Sequence, residues 1–84
     1  MAQVKVIYRA GLRESIGVRE IQLEAATVAD ILSHIKSTQG KDVYKQAKAM
    51  LIVVNGVSIL YKDLYKTVLN EGDTVSFLPL AAGG

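Results

Sequence analysis

Cysteine is absent from the 84 residues of this chain. The absence excludes a catalytic thiol, a redox motif and a zinc site built from cysteines, and it removes the disulfides that often stabilise secreted domains of this size. The longest apolar run, Ala49–Val54, is far too short to span a membrane. The alternating residues 1–6 do not have the pattern of a signal peptide. We therefore expect a soluble, cytoplasmic protein with no membrane partner.

Residues that could carry out catalysis are also few. His34 is the only histidine, and it falls off the apolar stripe of the helix predicted around it, which favours a surface position. The carboxylates are scattered, mostly at turns and helix starts, where aspartate has local roles. No paired-carboxylate motif, phosphate loop or metal-ligand spacing appears in the sequence. We expect no catalysis by the chain alone, and no cofactor or metal bound to it.

The charged residues are well mixed, with 10 basic and 8 acidic side chains and a formal net charge of +2. Lys41, Lys45 and Lys48 would share roughly one side of a short helix, with Tyr44 nearby. A nucleic-acid site would usually add arginines and several stacking aromatics to such lysines. The pattern favours a solvated lysine face, and we predict no nucleic-acid partner.

Hydrophobic spacing predicts two strands and then a helix in the first half of the chain. Val4, Val6 and Tyr8 would share one face of the first strand. The helix has an apolar stripe at i, i+3, i+4 and i+7 that consists of Val28, Ile31, Leu32 and Ile35. The predicted elements are a strand at 3–9, a hairpin connection at 11–17, a strand at about 18–24, a helix from Thr27 to a cap at Gly40, and a helical turn at 42–48.

The second half predicts three more strands. A nearly all-apolar strand at 50–54 should be central or buried on both faces. Asn55-Gly56 is a strong hairpin signal and leads to a short strand at 57–60. The last strand covers 74–78, and Pro79 ends it. The order predicts an α+β domain over 1–78, with a mixed sheet of about four to five strands and one main helix on one face, which is the β-grasp arrangement. Residues 79–84 form a flexible tail.

The tail is short, uncharged and made of small apolar residues, unlike most frayed termini, which are polar. Glycine has no Cβ, so Gly83 and Gly84 could pass through a narrow channel in a partner enzyme. A free carboxylate is a poor acyl donor and must first be activated, for example as an acyl-adenylate. Since this chain has no phosphate site, the ATP for that step would be used by the partner.

Leu78 extends this interpretation into the last strand. If Val75 and Phe77 face the core, Leu78 points outward beside Pro79 and Leu80. An outward apolar residue that leads into an apolar tail is typical of a docking patch, which Ile59 or Leu60 could extend. The alternative is a set of isolated surface leucines, which need no functional explanation.

Residues 69–84, with a Gly-Asp turn, a Phe-Leu-Pro strand end and a terminal Gly-Gly, resemble the small subunit of molybdopterin synthase (the MoaD type) within the ubiquitin-like sulfur carriers. Weaker similarities cover most of the chain and lie at 4–10, at Leu12-Arg13-Glu14 with Gly17, at 27–32 and at 53–56. One difference is Leu80, which stands where the family often has a second proline.

The resemblance implies a mechanism. An adenylating enzyme related to the ubiquitin-activating enzymes would use ATP to activate Gly84, and a sulfur donor would convert it to a thiocarboxylate. Gly84 would then pass the sulfur to a pterin precursor on the molybdopterin synthase large subunit, in molybdenum or tungsten cofactor biosynthesis. The chain would be the small subunit of that complex. The channel would hold Ala81, Ala82 and Gly83, and the body would dock through Leu78, Pro79 and Leu80.

Other functions use the same tail. Sulfur could pass to transfer RNA or to a thiamin thiazole instead, although the chain length and the Phe77-Leu78-Pro79 ending favour the pterin over the thiazole. A ubiquitin-like protein modifier, joined to lysines through Gly84, needs the same chemistry up to activation. The sequence leaves these alternatives open, together with that of a plain interaction domain.

Overall fold

The computed structural model describes residues 1–80, and Ala81, Ala82, Gly83 and Gly84 lie outside the described residues. The elements follow in the order β1 (Ala2–Tyr8), α1 (Ala10–Ile16), β2 (Glu20–Ala25), α2 (Val28–Gln39), α3 (Lys41–Lys48), β3 (Leu51–Val54), β4 (Val57–Ser58) and β5 (Thr74–Leu78). Two 3-10 turns, Ile59–Tyr61 and Leu64–Lys66, lie between β4 and β5.

The five strands form one mixed sheet in the order β2-β1-β5-β3-β4. The pair of β1 and β5 is parallel, whereas β1 with β2, β3 with β4 and β3 with β5 are antiparallel. The last strand is therefore the central one, between the first and third strands. The predicted α+β class, with a mixed sheet and the main helix on one face, is confirmed.

The core lies between the helices and one face of the sheet, which we call the inner face. Val4, Val6 and Tyr8 of β1 are buried on this face, as predicted, and so is the whole predicted stripe of α2. Asp30 supports the start of α2, because its Oδ2 accepts hydrogen bonds from the backbone N–H groups of Ala26 at 2.8 Å and Thr27 at 3.1 Å. The opposite side of the sheet is called the outer face.

Residues 11–17 connect the antiparallel neighbours β1 and β2, as predicted, but the turn expected there was wrong, because the segment forms helix α1. Leu12 is fully buried, and one turn of helix brings that side chain onto the core, which an open loop would not do. Gly17, with φ of 90°, ends the helix and donates its N–H to the carbonyl of Arg13 at 2.8 Å. The glycines that suggested a turn lie inside the helix and at its left-handed end.

The helical content therefore exceeds one main helix. The turn predicted at 42–48 is helix α3, and Gly40 separates it from α2 with φ of 93°. The strand predicted at 57–60 is shorter, since Ser58 Oγ accepts the N–H of Leu60 at 3.1 Å and the chain enters a 3-10 turn. His34 is half-buried, not on the open surface as predicted.

The hairpin at Asn55-Gly56 has the predicted geometry, with φ of 51° and 84° at the two residues. Asn55 also connects this turn to the start of β5: its Nδ2 donates to Asp73 Oδ1 at 2.9 Å, and its Oδ1 accepts the N–H of Thr74 at 2.9 Å. The turn thus fixes where the central strand begins, and the length of that strand fixes where the tail leaves the sheet.

Within residues 1–80 no helix is long and apolar enough to cross a membrane. The same residues hold no group of three or more histidine, aspartate or glutamate side chains that could share a metal ion.

Candidate functional site

The central strand β5 brings the tail to one end of the sheet. Val75 and Phe77 are fully buried on the inner face, and the ring of Phe77 packs against Tyr8 with centroids 5.9 Å apart and an angle of 44° between the planes. Leu78 is half-buried on the outer face, the orientation predicted for it. Because Phe77 anchors the strand end in the core, the positions of Leu78, Pro79 and Leu80 are set by the fold.

An apolar groove of about 420 Å³ lies beside this strand end. Leu51, which lies directly opposite Leu78 on β3, lines the groove. Leu60 and Leu80 also line it, and each is 67% exposed. The other lining residues are mostly apolar and come from 48–52 and from the 3-10 turns: Lys48, Ala49, Met50, Ile52, Ser58, Ile59, Leu64 and Tyr65. Leu60 and Leu80, both expected in the docking patch, line this groove, whereas Leu78 does not line it.

The sequence interpretation located this groove only in part. Leu60 was one of two residues proposed to extend the patch, and it does so from a 3-10 turn; Ile59 is a core residue that reaches the groove wall. The strand 50–54 was expected to be central or buried on both faces. It lies inside the sheet, between β5 and β4, but Leu51 is only half-buried, because the helices cover the inner face and not the outer face.

A second cavity, of about 490 Å³, lies on the other side of the tail base. It is lined by Pro79 and by three exposed arginines, Arg9, Arg13 and Arg19. We call these the arginine cluster. Pro79 and Leu80 are consecutive residues, yet Pro79 lines this basic cavity and Leu80 lines the apolar groove. The tail therefore starts between a basic and an apolar surface.

The arginine cluster was not identified from the sequence. The sequence interpretation assigned Arg13 to a loop, and a loop does not define the direction of a side chain. In the structure Arg13 lies in α1, one turn after Arg9, and the helix brings its side chain to the same cavity. Arg19 precedes β2 and reaches the same cavity because its carbonyl accepts the N–H of Tyr8 at 2.8 Å. The signal was present in the spacing of Arg9 and Arg13, since residues four apart share a helix face.

Two titrating groups near these elements have shifted pKa values. Burial raises the pKa of Tyr8, which is also one of the residues that line the arginine cavity, to about 12. Hydrogen bonds from the Asn70 backbone and then the Asn55 side chain hold the pKa of Asp73 below its ordinary value. Burial thus accounts for the pKa shift of Tyr8 and local hydrogen bonds for that of Asp73, and neither shift requires a catalytic explanation.

Of the predicted site residues, the structure brings Leu78, Pro79 and Leu80 together at the tail base. Ala81, Ala82, Gly83 and Gly84 lie outside the described residues. Their predicted roles, including the thiocarboxylate at Gly84, stay predictions.

Comparison with known proteins relates this chain to one family. The model of the ThiS family matches residues 6–84. The chain belongs to the ThiS family.

Its relatives in this family match it from end to end. A protein of Archaeoglobus fulgidus named "Putative sulfur carrier protein" is 32% identical over 88 residues, which cover 96% of this chain and 98% of that protein. The solution structure of small archaeal modifier protein 1 from Methanosarcina acetivorans is 28% identical, with a TM-score of 0.78 over 100% of this chain and 98% of that one.

Two further solved structures carry molybdopterin names. A Pyrococcus furiosus protein named "Putative molybdopterin converting factor, subunit 1" is 28% identical, with a TM-score of 0.69 over 96% of this chain and 100% of that one. In Helicobacter pylori, the complex of subunits 1 and 2 of the molybdopterin-converting factor contains a chain with the same fold, 22% identical, with a TM-score of 0.72 over 98% and 99% of the two chains. The resemblance stated from the sequence is confirmed at the level of family and ubiquitin-like fold.

Proposed function

We propose that this protein is a sulfur carrier whose Gly84 is adenylated, converted to a thiocarboxylate and used to donate sulfur in molybdopterin biosynthesis. Gly84 is the residue that reacts, and the chain would be the small subunit of a molybdopterin synthase. The observation that carries the proposal is the end-to-end match, at 32% identity, to a family member named as a sulfur carrier.

The chemistry is divided between this chain and its partners. The carboxylate of Gly84 attacks the α-phosphate of ATP on an adenylating enzyme, and pyrophosphate leaves. A sulfur donor then displaces AMP from the acyl-adenylate and leaves a thiocarboxylate. In this division the partner supplies ATP binding and this chain supplies the acyl group. We place these steps in the cytoplasm.

The geometry at the tail base supports docking by a partner. Leu60 and Leu80 are exposed, and together with the half-buried Leu78 they give an apolar surface next to the point where the tail begins. Apolar patches that adjoin a functional segment are typical of interaction sites. A partner that covers the groove would also fix the direction in which Gly83 and Gly84 enter its channel.

The choice of molybdopterin rests on two observations. One is the match to the Pyrococcus furiosus protein at 28% identity, and the other is the Phe77-Leu78-Pro79 ending. The large subunit of molybdopterin synthase is then the second partner. Sulfur transfer to transfer RNA or to a thiamin thiazole shares every step before the last acceptor.

A second candidate is a protein modifier, because small archaeal modifier protein 1 of Methanosarcina acetivorans is equally similar, at 28% identity over the whole chain. In that case the activated carboxyl of Gly84 forms an isopeptide bond with a lysine of a target protein. The two functions differ only in which nucleophile attacks after activation.

Intact-mass spectrometry tests the carrier function. The chain is incubated with ATP, a sulfur donor and the adenylating enzyme of its organism, and its mass should rise by the difference between sulfur and oxygen. A chain that lacks Gly84 is the control and should show no gain. An unchanged mass of the full chain under these conditions would be evidence against the carrier function.

The acceptor is tested separately. The thiocarboxylated chain is mixed with a molybdopterin synthase large subunit and the cyclic pyranopterin precursor, and the dithiolene product is measured. Formation of the product with return of the chain to its carboxylate mass supports the molybdopterin function. Lysine conjugates that end in Gly-Gly, without any pterin product, would favour the modifier function instead.

A further inference from the structure

We propose that Arg9, Arg13 and Arg19 form a second docking site, which binds carboxylates on the surface of the enzyme that activates Gly84. The inference rests on the proposed function, since it names the kind of surface that the activating partner presents. It concerns residues that lie outside the apolar groove and that the mechanism at Gly84 does not use.

Strand pairing brings the arginine cluster to the tail. Because β1 and β5 are parallel and Tyr8 lies beside Phe77, both strands finish at the same end of the sheet. Arg9 directly follows one strand, and Pro79 directly follows the other. The antiparallel strand β2 begins at the same end of the sheet, with Glu20 opposite Ile7, and so places Arg19 there too. The positive charges are thus fixed by the same register that fixes where the tail begins.

The cavity carries an excess of positive charge within residues 1–80, since three arginines and one carboxylate, Glu20, line it. None of the three arginines makes an ion pair with another described residue, and Glu20 on the cavity rim pairs with Lys5 at 3.9 Å. All three side chains are exposed. Like charges that lie close together repel one another. Negative charges on a partner would offset this repulsion, so the cluster favours an anionic partner.

The shape of the cavity favours a protein surface over a small anion. Guanidinium groups bind both carboxylate and phosphate oxygens with paired hydrogen bonds. An enclosed site for a small anion would add buried polar groups that point into it. The described residues contain no buried side-chain polar atom without a hydrogen-bond partner, and the arginines line an open cavity. Several carboxylates spread over a partner surface match this arrangement.

The place of the cluster indicates which partner is bound. Sulfur transfer and protein modification both begin with activation of Gly84, so the activating enzyme is the partner common to all functions of this tail. That enzyme must cover both sides of the tail base. It would contact the apolar groove beside Leu80 and the arginine cluster beside Pro79, and the two contacts together would orient the tail.

A charge reversal tests the site. The variant carries Arg9→Glu, Arg13→Glu and Arg19→Glu, and the control carries Lys36→Glu, Lys41→Glu and Lys45→Glu on α2 and α3, with the same change of net charge. ATP–pyrophosphate exchange by the adenylating enzyme of the organism is measured against the concentration of this chain. Since exposed charges act on association more than on chemistry, the KM for the arginine variant should rise about tenfold or more with kcat nearly unchanged.

Several results separate the inference from its alternatives. A KM for the arginine variant equal to that of the lysine control would overturn it, because only net charge would matter. If the unaltered chain supports ATP–pyrophosphate exchange and the arginine substitutions do not change the KM, the inference is wrong and the proposed function stands. If the unaltered chain supports no exchange, both the inference and the proposed function are wrong. If the triple variant unfolds, Arg19→Glu alone, in the segment between α1 and β2, should still raise the KM. Saturable binding of inorganic phosphate at the cluster, followed by NMR, would overturn the carboxylate assignment.

Discussion

Leu51 and Leu78 lie directly opposite each other on antiparallel neighbours, both half-buried on the outer face of the sheet. The pair places an apolar contact at the point where β5 ends and the tail begins. Side chains directly opposite each other on antiparallel neighbours lie within reach of contact, and each leucine still presents part of its side chain outward. One contact thus stabilises the strand end and also contributes to a docking surface.

Leu78→Asp should weaken binding to the activating enzyme with a modest loss of stability. A carboxylate opposite Leu51 gives up the cross-strand packing, which we expect to cost about 1 kcal/mol in the free energy of unfolding. On the partner side it places a charge in an apolar contact, so affinity should fall about tenfold or more. Isothermal calorimetry and urea unfolding measure the two effects.

The matched control is Gln22→Asp, which adds the same charge on the outer face of β2 at the far edge of the sheet. It should change neither the affinity for the activating enzyme nor the free energy of unfolding appreciably. If Leu78→Asp instead unfolded the domain, Leu78 would be a core residue and the surface assigned to it would be wrong.

The sequence predicted β5 and its inner face because the pattern there is local: a turn, five alternating residues and a proline. It predicted Leu80 and Leu60 in the groove but not Leu51, because these residues are distant in the chain and meet only through the fold. Residues 11–17 were misassigned for a related reason. Gly11 and Gly17 favour a turn locally, and only the burial of Leu12 in the core selects a helix.

Asp73→Ala should reduce stability at neutral pH and reduce the loss of stability in acid. The pKa of Asp73 is lowered in the folded protein by hydrogen bonds from Asn70 and Asn55. A lowered folded pKa contributes stability above the ordinary value of 3.8, and that stability is lost as the pH falls through the folded pKa. Loss of these bonds should cost about 1 kcal/mol at neutral pH.

Urea unfolding of the wild type and Asp73→Ala across this acid range checks the effect. The two stabilities should converge as the pH falls. Glu24→Ala, which removes an exposed carboxylate on β2, is the control. A gap that stays constant with pH would show that Asp73 acts by packing and not by its charge.

Tyr8→Phe should remove a phenol whose pKa is raised to about 12. Burial raises the pKa of Tyr8 from 10.0 to about 12, because the phenolate would lose its hydration in the core. A raised folded pKa means that Tyr8 contributes stability below the unfolded value, and this contribution disappears as the pH rises from 10.0 to about 12.

Ultraviolet titration of the phenolate absorbance measures this directly, with four tyrosines in the chain. The variant should lack the final rise near the pKa of Tyr8 and should lose less stability in alkali than the wild type. Tyr61→Phe, at an 86% exposed position, is the control and should leave the final rise in place. A final rise that persists in Tyr8→Phe would contradict the assignment.

Gly83→Val should abolish activation of Gly84 without changing the stability of the body. Valine adds a branched Cβ, which restricts the backbone and widens the chain at the residue that would pass through the channel of the activating enzyme. ATP–pyrophosphate exchange should fall to the level of the chain that lacks Gly84. Thermal unfolding should match the wild type, since the described core ends at Phe77. Ala82→Gly, which narrows the tail, is the control and should retain activity; normal exchange by Gly83→Val would show that no narrow channel receives this segment.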